Sequence, residues 1–333
     1  MLTFIHKQIV TDLSSLNIAL PQARILIAVS GGKDSLCLLK LIKDLQQVYH
    51  WKVGIIHCDH QWRHDSHSSA QIIYRLAREF HFKFYLGINE AKLSEEFSTR
   101  EWRYSMFFKI AAKYNYNLIV TAHNLNDRVE TFLYNLCRGS LIDGISNVSF
   151  AKKISKNLFL YRPLINISQH EVYWLSRYFC LPVWSDFTNL AMKLKRNRIR
   201  QELLPYLRQY INPKVDKSII NVLDRITLQN EYLKSYVRLL YSRIVHPYLV
   251  ALEINLFLQL QEVFQVSILE MIFKQLTLFN FQIANAQSIL NFLDKKQNPP
   301  RSVLIIHQVI LVQKTSYLYF CKNKHSNKKQ HIF

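Results

Sequence analysis

The chain has 333 residues, of which 49% are hydrophobic, with 43 Lys and Arg against 23 Asp and Glu and a formal net charge of +20. That length and apolar share support two domains with a sizeable core, and a charge so far to one sign points to a polyanion, nucleic acid first, as partner. Cys37, Cys58, Cys137, Cys180 and Cys321 form no CxxC pair, which argues against a zinc ribbon, an iron–sulfur site or a disulfide framework, and no apolar run reaches the length of a membrane span.

In chain order, MLTFIHKQIVTDL predicts an amphipathic first helix. It lacks the Arg- and Ser-rich, acid-poor character of a transit peptide, and no secretory cleavage pattern follows it. ILIAV, residues 25–29, is a continuous apolar run, as expected of a central strand covered on both faces. A tight turn, Ser30 to Lys33, leads into a helix from about Asp34 to Val48. KVGIIH predicts a second strand, followed by the His-rich CDHQWRHDSHSS and a helix to Phe80. FKFYLGI predicts a third strand. Ser98 to Glu101 reads as a capping box opening a helix to Tyr114. NLIVTA predicts a fourth strand, followed by a helix that ends before Gly139. LFLYRPL predicts a fifth strand, and Ser168 to Glu171 a second capping box. Strands alternating with helices at this rhythm predict an α/β fold with a doubly wound parallel sheet.

The rhythm stops near residue 205. Residues 215–244, 254–277 and 282–296 predict helices, and SVLIIHQVILVQKTSYLYF predicts two strands. A boundary at Asn212-Pro213 divides the chain into residues 1–212 and a mainly helical domain, 213–333, with a short C-terminal strand pair and a basic tail.

In open parallel sheets, ligands sit at the carboxyl ends of the strands, and each segment just past a strand is polar here. After the first strand comes SGGKDS. Gly31 and Gly32 allow a sharp turn and a close ligand, and Ser30, Ser35 and the helix N-terminal N–H groups offer donors to an oxyanion. The spacing is not that of a Walker A loop. After the fourth strand comes AHNLNDRVET. Asp127 and Glu130, three apart, share a helix face and suit a cationic amine, or its proton; a capping Asp and a solvated Glu fit the same pattern. The His57, Asp59, His60, His64 and His67 cluster has no standard metal-ligand spacing, and nucleotide or RNA contact from His60 and Arg63 is preferred. MKLKRNRIRQELLPYLR sets Lys193, Lys195, Arg196, Arg198, Arg200 and Arg208 against Glu202 alone, a pattern that fits a phosphate-binding surface or a solvated basic face.

SGGKDS resembles the PP-loop of the ATP pyrophosphatases. Together with HCDHQWRHDS, STREWRY, TAHNLNDRVETFLYNLCRGS and the RPL–DFTN–RNRIRQELLPYL run, it resembles the tRNA(Ile)-lysidine synthase family over residues 24–212. The resemblance implies an adenine nucleotide alpha hydrolase-like fold, with an ATP-binding catalytic domain and a helical tRNA-binding domain. It also implies a ligase reaction: ATP adenylates the cytidine in the first anticodon position of an isoleucine tRNA with a CAU anticodon, and free L-lysine displaces AMP to give lysidine. On that resemblance, Ser30, Gly31, Gly32, Lys33, Asp34 and Ser35 bind ATP, and Asp34 holds Mg²⁺. His123 lies near the reacting phosphate, Arg103, Asp127 and Glu130 line the lysine site, and Asp127 or Glu130 takes the amine proton. His60, Arg63, Arg196, Arg198 and Arg200 are the residues expected to bind tRNA. Gln61-Trp62 replaces the Gly-Leu pair frequent in the family, and the large extra C-terminal domain of some members is not expected. A PP-loop tRNA thiolase and a non-enzymatic RNA-binding protein are the alternatives, and a homodimer is left open. The Ile-, Lys-, Asn-rich and Gly-poor composition suggests an AT-rich genome, hence a plastid stroma, with a bacterial cytoplasm as the alternative.

Overall fold

The computed structural model describes residues 2–16, 23–59, 66–89, 96–140, 142–145, 149–182, 195–276, 281–294 and 302–322. The chain divides into two compact units, 1–226 and 227–333.

The first unit is built on a six-stranded sheet: β1 Arg24–Ala28, β2 Lys52–Asp59, β3 Lys83–Ile88, β4 Leu118–Val120, β5 Ala151–Ser155 and β6 Leu158–Tyr161. The order is β3-β2-β1-β4-β6-β5, parallel except for the antiparallel β5–β6 pair. β1 is central, and its sequence shows why. Ile25 and Ile27 pack into the cluster on one face, while Leu26 packs with Phe107 and Ala111 on the other. All three are fully buried, each stabilising the fold by about 1.5–3 kcal/mol. Helices α1 Phe4–Ser15, α2 Lys33–Tyr49, α3 Ser66–Glu79 and α7 Gln169–Tyr178 contribute to the first face, and α4 Glu96–Lys113 to the second. Gly54 is needed on β2, because a Cβ there would lie 2.8 Å from the Tyr116 ring.

After β1 the chain passes through α2 to β2, on one side, and after β3 it crosses to β4, on the other. The switch point therefore falls between β1 and β4. SGGKDS and the α5 segment, Leu125–Cys137, both start at that crevice.

Some expectations are corrected. α4 begins at Glu96, so Ser98 lies inside the helix and is not its cap. The Ser168 box is present: Ser168 N donates to Glu171 Oε2 at 2.8 Å and Glu171 N donates to Ser168 Oγ at 3.3 Å. β5 was not anticipated. Its AKKIS sequence has no apolar run, and Lys152 and Lys153 are exposed, as suits an edge strand.

The basic run forms a helical stretch: α8 Lys195–Arg198, a π-helical turn Ile199–Leu203, α9 Leu204–Tyr206 and a second π-helical turn Leu207–Ile211. α10, Val215–Ile244, follows and runs through the division at 226/227. Its opening turns belong with the first unit, because Ile220 and Leu223 pack against Val129 of α5 and Leu204, and Arg128 pairs with Asp224. The expected boundary at Asn212-Pro213 precedes those turns.

The second unit contains α11 Ile254–Leu258, α12 Glu262–Leu276 and α13 Ile283–Asp294, where one helix over 254–277 was expected in place of the first two. The expected strand pair is a four-stranded antiparallel sheet, β7 Ala251–Glu253, β8 Val303–Ile306, β9 Val309–Lys314 and β10 Tyr317–Lys322, in the order β7-β10-β9-β8. His307 (φ 51°) and Thr315 (φ 52°) turn its hairpins. Neither residue carries the Gly or Asn signal from which such a turn is read in sequence.

Candidate active site

The phosphate turn is assembled by local geometry. Gly31 takes φ +90°, and a Cβ on it would meet Ser69 Oγ at 3.1 Å, so both conformation and space call for glycine. Gly32 is the N-cap of α2 and supplies no side-chain acceptor. The first N–H groups of α2 thus face the crevice without intrahelical partners. Ser35 is buried, and its Oγ donates to Gly32 O at 2.8 Å and accepts from Ser30 N at 3.3 Å. Its hydroxyl braces the turn and is not presented to a ligand as expected, whereas Ser30 is exposed. Lys33 Nζ lies 5.9 Å from the Tyr173 ring centroid.

Asp34 lies one residue into α2. Burial raises its carboxyl to about 6, with Lys33, Asp127, Arg200 and Asn124 as smaller influences. Oδ2 accepts from Asn124 Nδ2 at 3.1 Å, while Oδ1 is buried with no hydrogen-bond partner. Asn124 itself is 4% exposed and caps α5 reciprocally. Its Oδ1 accepts from Asp127 N at 3.2 Å, and its N donates to Asp127 Oδ2 at 2.9 Å. One amide side chain therefore connects the phosphate turn to the acidic helix across the switch point. Its reach to Asp34, 90 positions away, is tertiary.

The acidic pair is close-knit, as the spacing predicted, but it is not open to solvent. Glu130 is 1% exposed. Arg200 Nε and Nη2 donate to its two oxygens at 2.6 and 2.9 Å, and Arg196 Nε donates to Oε2 at 3.0 Å. Arg196 Nη2 also donates to Asp127 Oδ1 at 2.9 Å. Burial works to raise the Asp127 carboxyl, but Arg196, the Asn124 N–H and Arg200 hold it below the usual range. Arg196 and Arg200 are thus turned inward, two cations on two carboxylates, rather than displayed on an RNA-facing surface. Arg198, on the other side of the segment, is 63% exposed and pairs with Glu202 at 3.0 Å. Arg208 is spent on Asp216.

His123 follows β4, and its Nδ1 lies 2.9 Å from Thr121 Oγ1. Burial pushes its imidazole well below the ordinary range, against the pull of Asp127, so it is neutral at physiological pH. His57 Nδ1 donates to Val29 O at 2.8 Å, and burial lowers that ring also. Arg103, on α4, has a buried Nε without a hydrogen-bond partner, and burial lowers its proton affinity. Cys58 is enclosed beside it, its thiol pushed up to about 12 by burial. His60, Arg63 and Lys193 lie outside the described residues. Among the described residues, no three His, Cys, Asp or Glu side chains group as metal ligands. Two further residues escaped sequence reasoning. Arg128 joins α5 to Asn166 and Asp224, and Arg162 is buried just past β6.

The PP-loop domain family matches residues 5–207. A tRNA(Ile)-lysidine synthase of Nostoc sp. is 41% identical over 70% of this chain and 68% of its own length. A chloroplastic tRNA(Ile)-lysidine synthase of Gracilaria tenuistipitata var. liui is 35% identical over 93% of this chain and 96% of its own. Among solved structures, a U34-tRNA thiolase from Methanococcus maripaludis superposes with a TM-score of 0.54 at 15% identity, covering 67% of this chain and 77% of that one. That likeness concerns the fold. The sequence relatives, the matched domain and the phosphate turn agree: the chain belongs to the tRNA(Ile)-lysidine synthases of the PP-loop family.

Proposed function

We propose that the chain ligates free L-lysine to carbon 2 of the cytidine in the first anticodon position of an isoleucine tRNA with a CAU anticodon, converting ATP to AMP and pyrophosphate. The cytidine carbonyl oxygen attacks the α-phosphorus and pyrophosphate leaves. The lysine side-chain amine then attacks carbon 2, and AMP departs with that oxygen. The lysidine product pairs with A instead of G, changing the tRNA from methionine to isoleucine identity. The observation that carries this reading is Asn124, which holds the nucleotide-side carboxylate of Asp34 and the amine-side carboxylate of Asp127 in one site.

The turn N–H groups, Ser30 and Lys33 receive the phosphates of ATP. The unpartnered, buried Oδ1 of Asp34 fits a hard cation. Asp34 would hold Mg²⁺ there, and the ion would supply charge neutralisation for the leaving pyrophosphate. The attacking amine must lose a proton, its ordinary pKa being about 10.4. Asp127 is the candidate to take it, with neutral His123 beside it, because the Asp127 side chain is 17% exposed against 1% for Glu130. Glu130 serves as a positioning residue for Arg196 and Arg200, and the buried Arg103 presents its charge to an anionic substrate group. Arg198, His60 and Arg63 are the candidates for tRNA contact. A sulfur-transferring alternative would draw on Cys58, but its thiol, raised to about 12, holds no thiolate at neutral pH. Relatives named as chloroplastic and the AT-leaning composition support a plastid stroma as the site of action, over a bacterial cytoplasm.

Mass analysis of the anticodon loop of an isoleucine tRNA after incubation with the protein, ATP and lysine tests the reading. Lysine-dependent conversion of the first anticodon cytidine is expected. An unmodified loop, or one that gains sulfur, overturns it.

A further inference from the structure

The arginines of this site fall into two sets. Arg128, Arg196, Arg200 and Arg208 each meet a carboxylate. Arg103 and Arg162 meet none among the described residues, and Arg162 is only 5% exposed. Its Nη1 donates to Ser149 O at 2.8 Å, and its Nε is buried without a partner. A cation taken from water against one neutral carbonyl is costly unless something else compensates it.

Its place indicates what that is. β4 and β6 run in register up to Val120↔Tyr161, and Thr121 N donates to Tyr161 O. Thr121 and Arg162 are therefore the next pair, just past the carboxyl ends of both strands. Val120 and Tyr161 belong to the α2 face. By alternation, Thr121 and Arg162 lie on the α4 face. Thr121 holds His123 there, and the Arg162 charge is close enough to act on that ring. The phosphate turn is built separately, at the start of α2.

We propose that Arg162 is a further oxyanion-binding group of the active site, apart from the phosphate turn and from Arg103, taking a carboxylate or phosphoryl oxygen of a small substrate. The inference rests on the lysine-ligating reading. That reading offers two sources, the α-carboxylate of lysine and the phosphates of ATP. A guanidinium this enclosed suits a small substrate entering the crevice better than an RNA backbone crossing the surface.

Arg162→Gln and Arg162→Lys are assayed for KM and kcat with lysine, with 1,5-diaminopentane (lysine without its carboxylate) and with ATP. Arg162→Gln is expected to raise one KM about tenfold or more, the loss of a charge-assisted hydrogen bond, with Arg162→Lys recovering part of it. A rise for lysine but not for the diamine identifies the carboxylate. A rise for ATP with both amines unmoved identifies a phosphoryl oxygen. A folded Arg162→Gln with both KM values within about twofold of wild type, or with only tRNA affinity reduced, overturns the proposal and leaves Arg162 as a tie to Ser149. If Arg162→Gln does not fold, the Nε–H resonance of Arg162 in ¹⁵N-arginine-labelled wild-type protein decides, with Arg162→Lys for assignment. It should move on adding lysine or a non-hydrolysable ATP analogue, and an unmoved resonance with both overturns the proposal. Wild-type protein that incorporates no lysine into tRNA would sink the reaction itself; incorporation with unmoved KM values sinks only the role of Arg162.

Discussion

The phosphate turn and the arginine segment, residues 195–211, carry comparable densities of polar groups and use them in opposite ways. The turn is made by neighbours in sequence. Gly31, Gly32, Ser35 and the start of α2 fix each other within six residues, and the N–H groups are left open. The segment is made by partners 66–70 positions away, Asp127 and Glu130, which consume the charge of Arg196 and Arg200. Local geometry leaves binding capacity free, whereas the tertiary network uses it up to hold a shape. A basic run read from sequence is therefore a poor guide to where charge is left free for an anion, and a glycine-rich turn is a better guide to where donors are left free.

The sharpest break of this comparison is on the turn side. Asp34→Ala should leave the fold intact and lower pyrophosphate release by several kcal/mol in barrier, about a hundred- to a thousandfold, by removing the carboxylate that fits the cation. Normal AMP formation in this variant would remove Asp34 from the chemistry. On the network side, Glu130→Gln turns an acceptor into an amide donor facing a guanidinium. It leaves charge unbalanced in a buried site, at about 3–5 kcal/mol in stability. Both pyrophosphate release and lysine incorporation should fall together, since the whole segment shifts. Selective loss of lysine transfer at unchanged melting temperature would return Glu130 to direct amine binding.

A smaller effect tests burial itself. Desolvation lowers the histidine rings of His6, His57 and His123. The unfolded chain binds these protons near the ordinary value of 6.5 and the folded chain does not, so the stability these rings contribute is fully present above that pH and falls as pH drops below it, while the raised Asp34 carboxyl works the other way near pH 6. The slope is up to about 1.4 kcal/mol per pH unit for each ring. Urea melts between pH 7.5 and 5.5 check it, and His57→Gln should flatten the curve. An unchanged slope in that variant would mean His57 is not held neutral.

These contrasts also explain what could be read in advance. The central strand was legible because Ile25, Leu26 and Ile27 are buried on both faces, which leaves a continuous apolar run. That Asp34, Asp127 and Glu130 come together was legible because strand ends in a parallel sheet converge. The inward turn of Arg196 and Arg200 was not, since a guanidinium on a phosphate surface and one on a buried carboxylate occupy the same sequence pattern. Asn124 and Arg162 were hidden for a related reason. Their roles come from sheet register and cross-strand reach, and nothing adjacent to them in sequence records it. The four-stranded sheet of the second unit was obscured by β7, three residues long, and by turns at His307 and Thr315 without glycine.

Asn124 permits a finer cut between its two jobs. Asn124→Ser keeps an oxygen for the Asp127 N–H and so keeps the cap, but has no amide to hold Asp34. Melting should stay close to wild type, while magnesium-dependent binding of an ATP analogue weakens about five- to tenfold, the worth of one hydrogen bond. Asn124→Ala loses the cap too, and should also cost about 1 kcal/mol in stability. If both variants bind the nucleotide like wild type, the Asn124–Asp34 contact has no functional weight.

The smallest effect distinguishes the one arginine of the 196–198–200 group that faces water. Arg198 is 63% exposed and its partner Glu202 49%, an i,i+4 pair worth at most about 0.5 kcal/mol. Arg198→Ala should thus leave melting and the kcat for lysine transfer unchanged. If Arg198 meets a tRNA phosphate, the variant's log–log slope of binding against salt should be shallower by about one. Arg196→Ala provides the contrast, because it uncovers Asp127 and Glu130 and should destabilise the fold before any change in salt slope can be read. A shallower slope from Arg198 alone would place the RNA on the outer side of the segment and the chemistry on its inner side. An unchanged slope would make Arg198 a solvated residue and leave its role in tRNA contact without support.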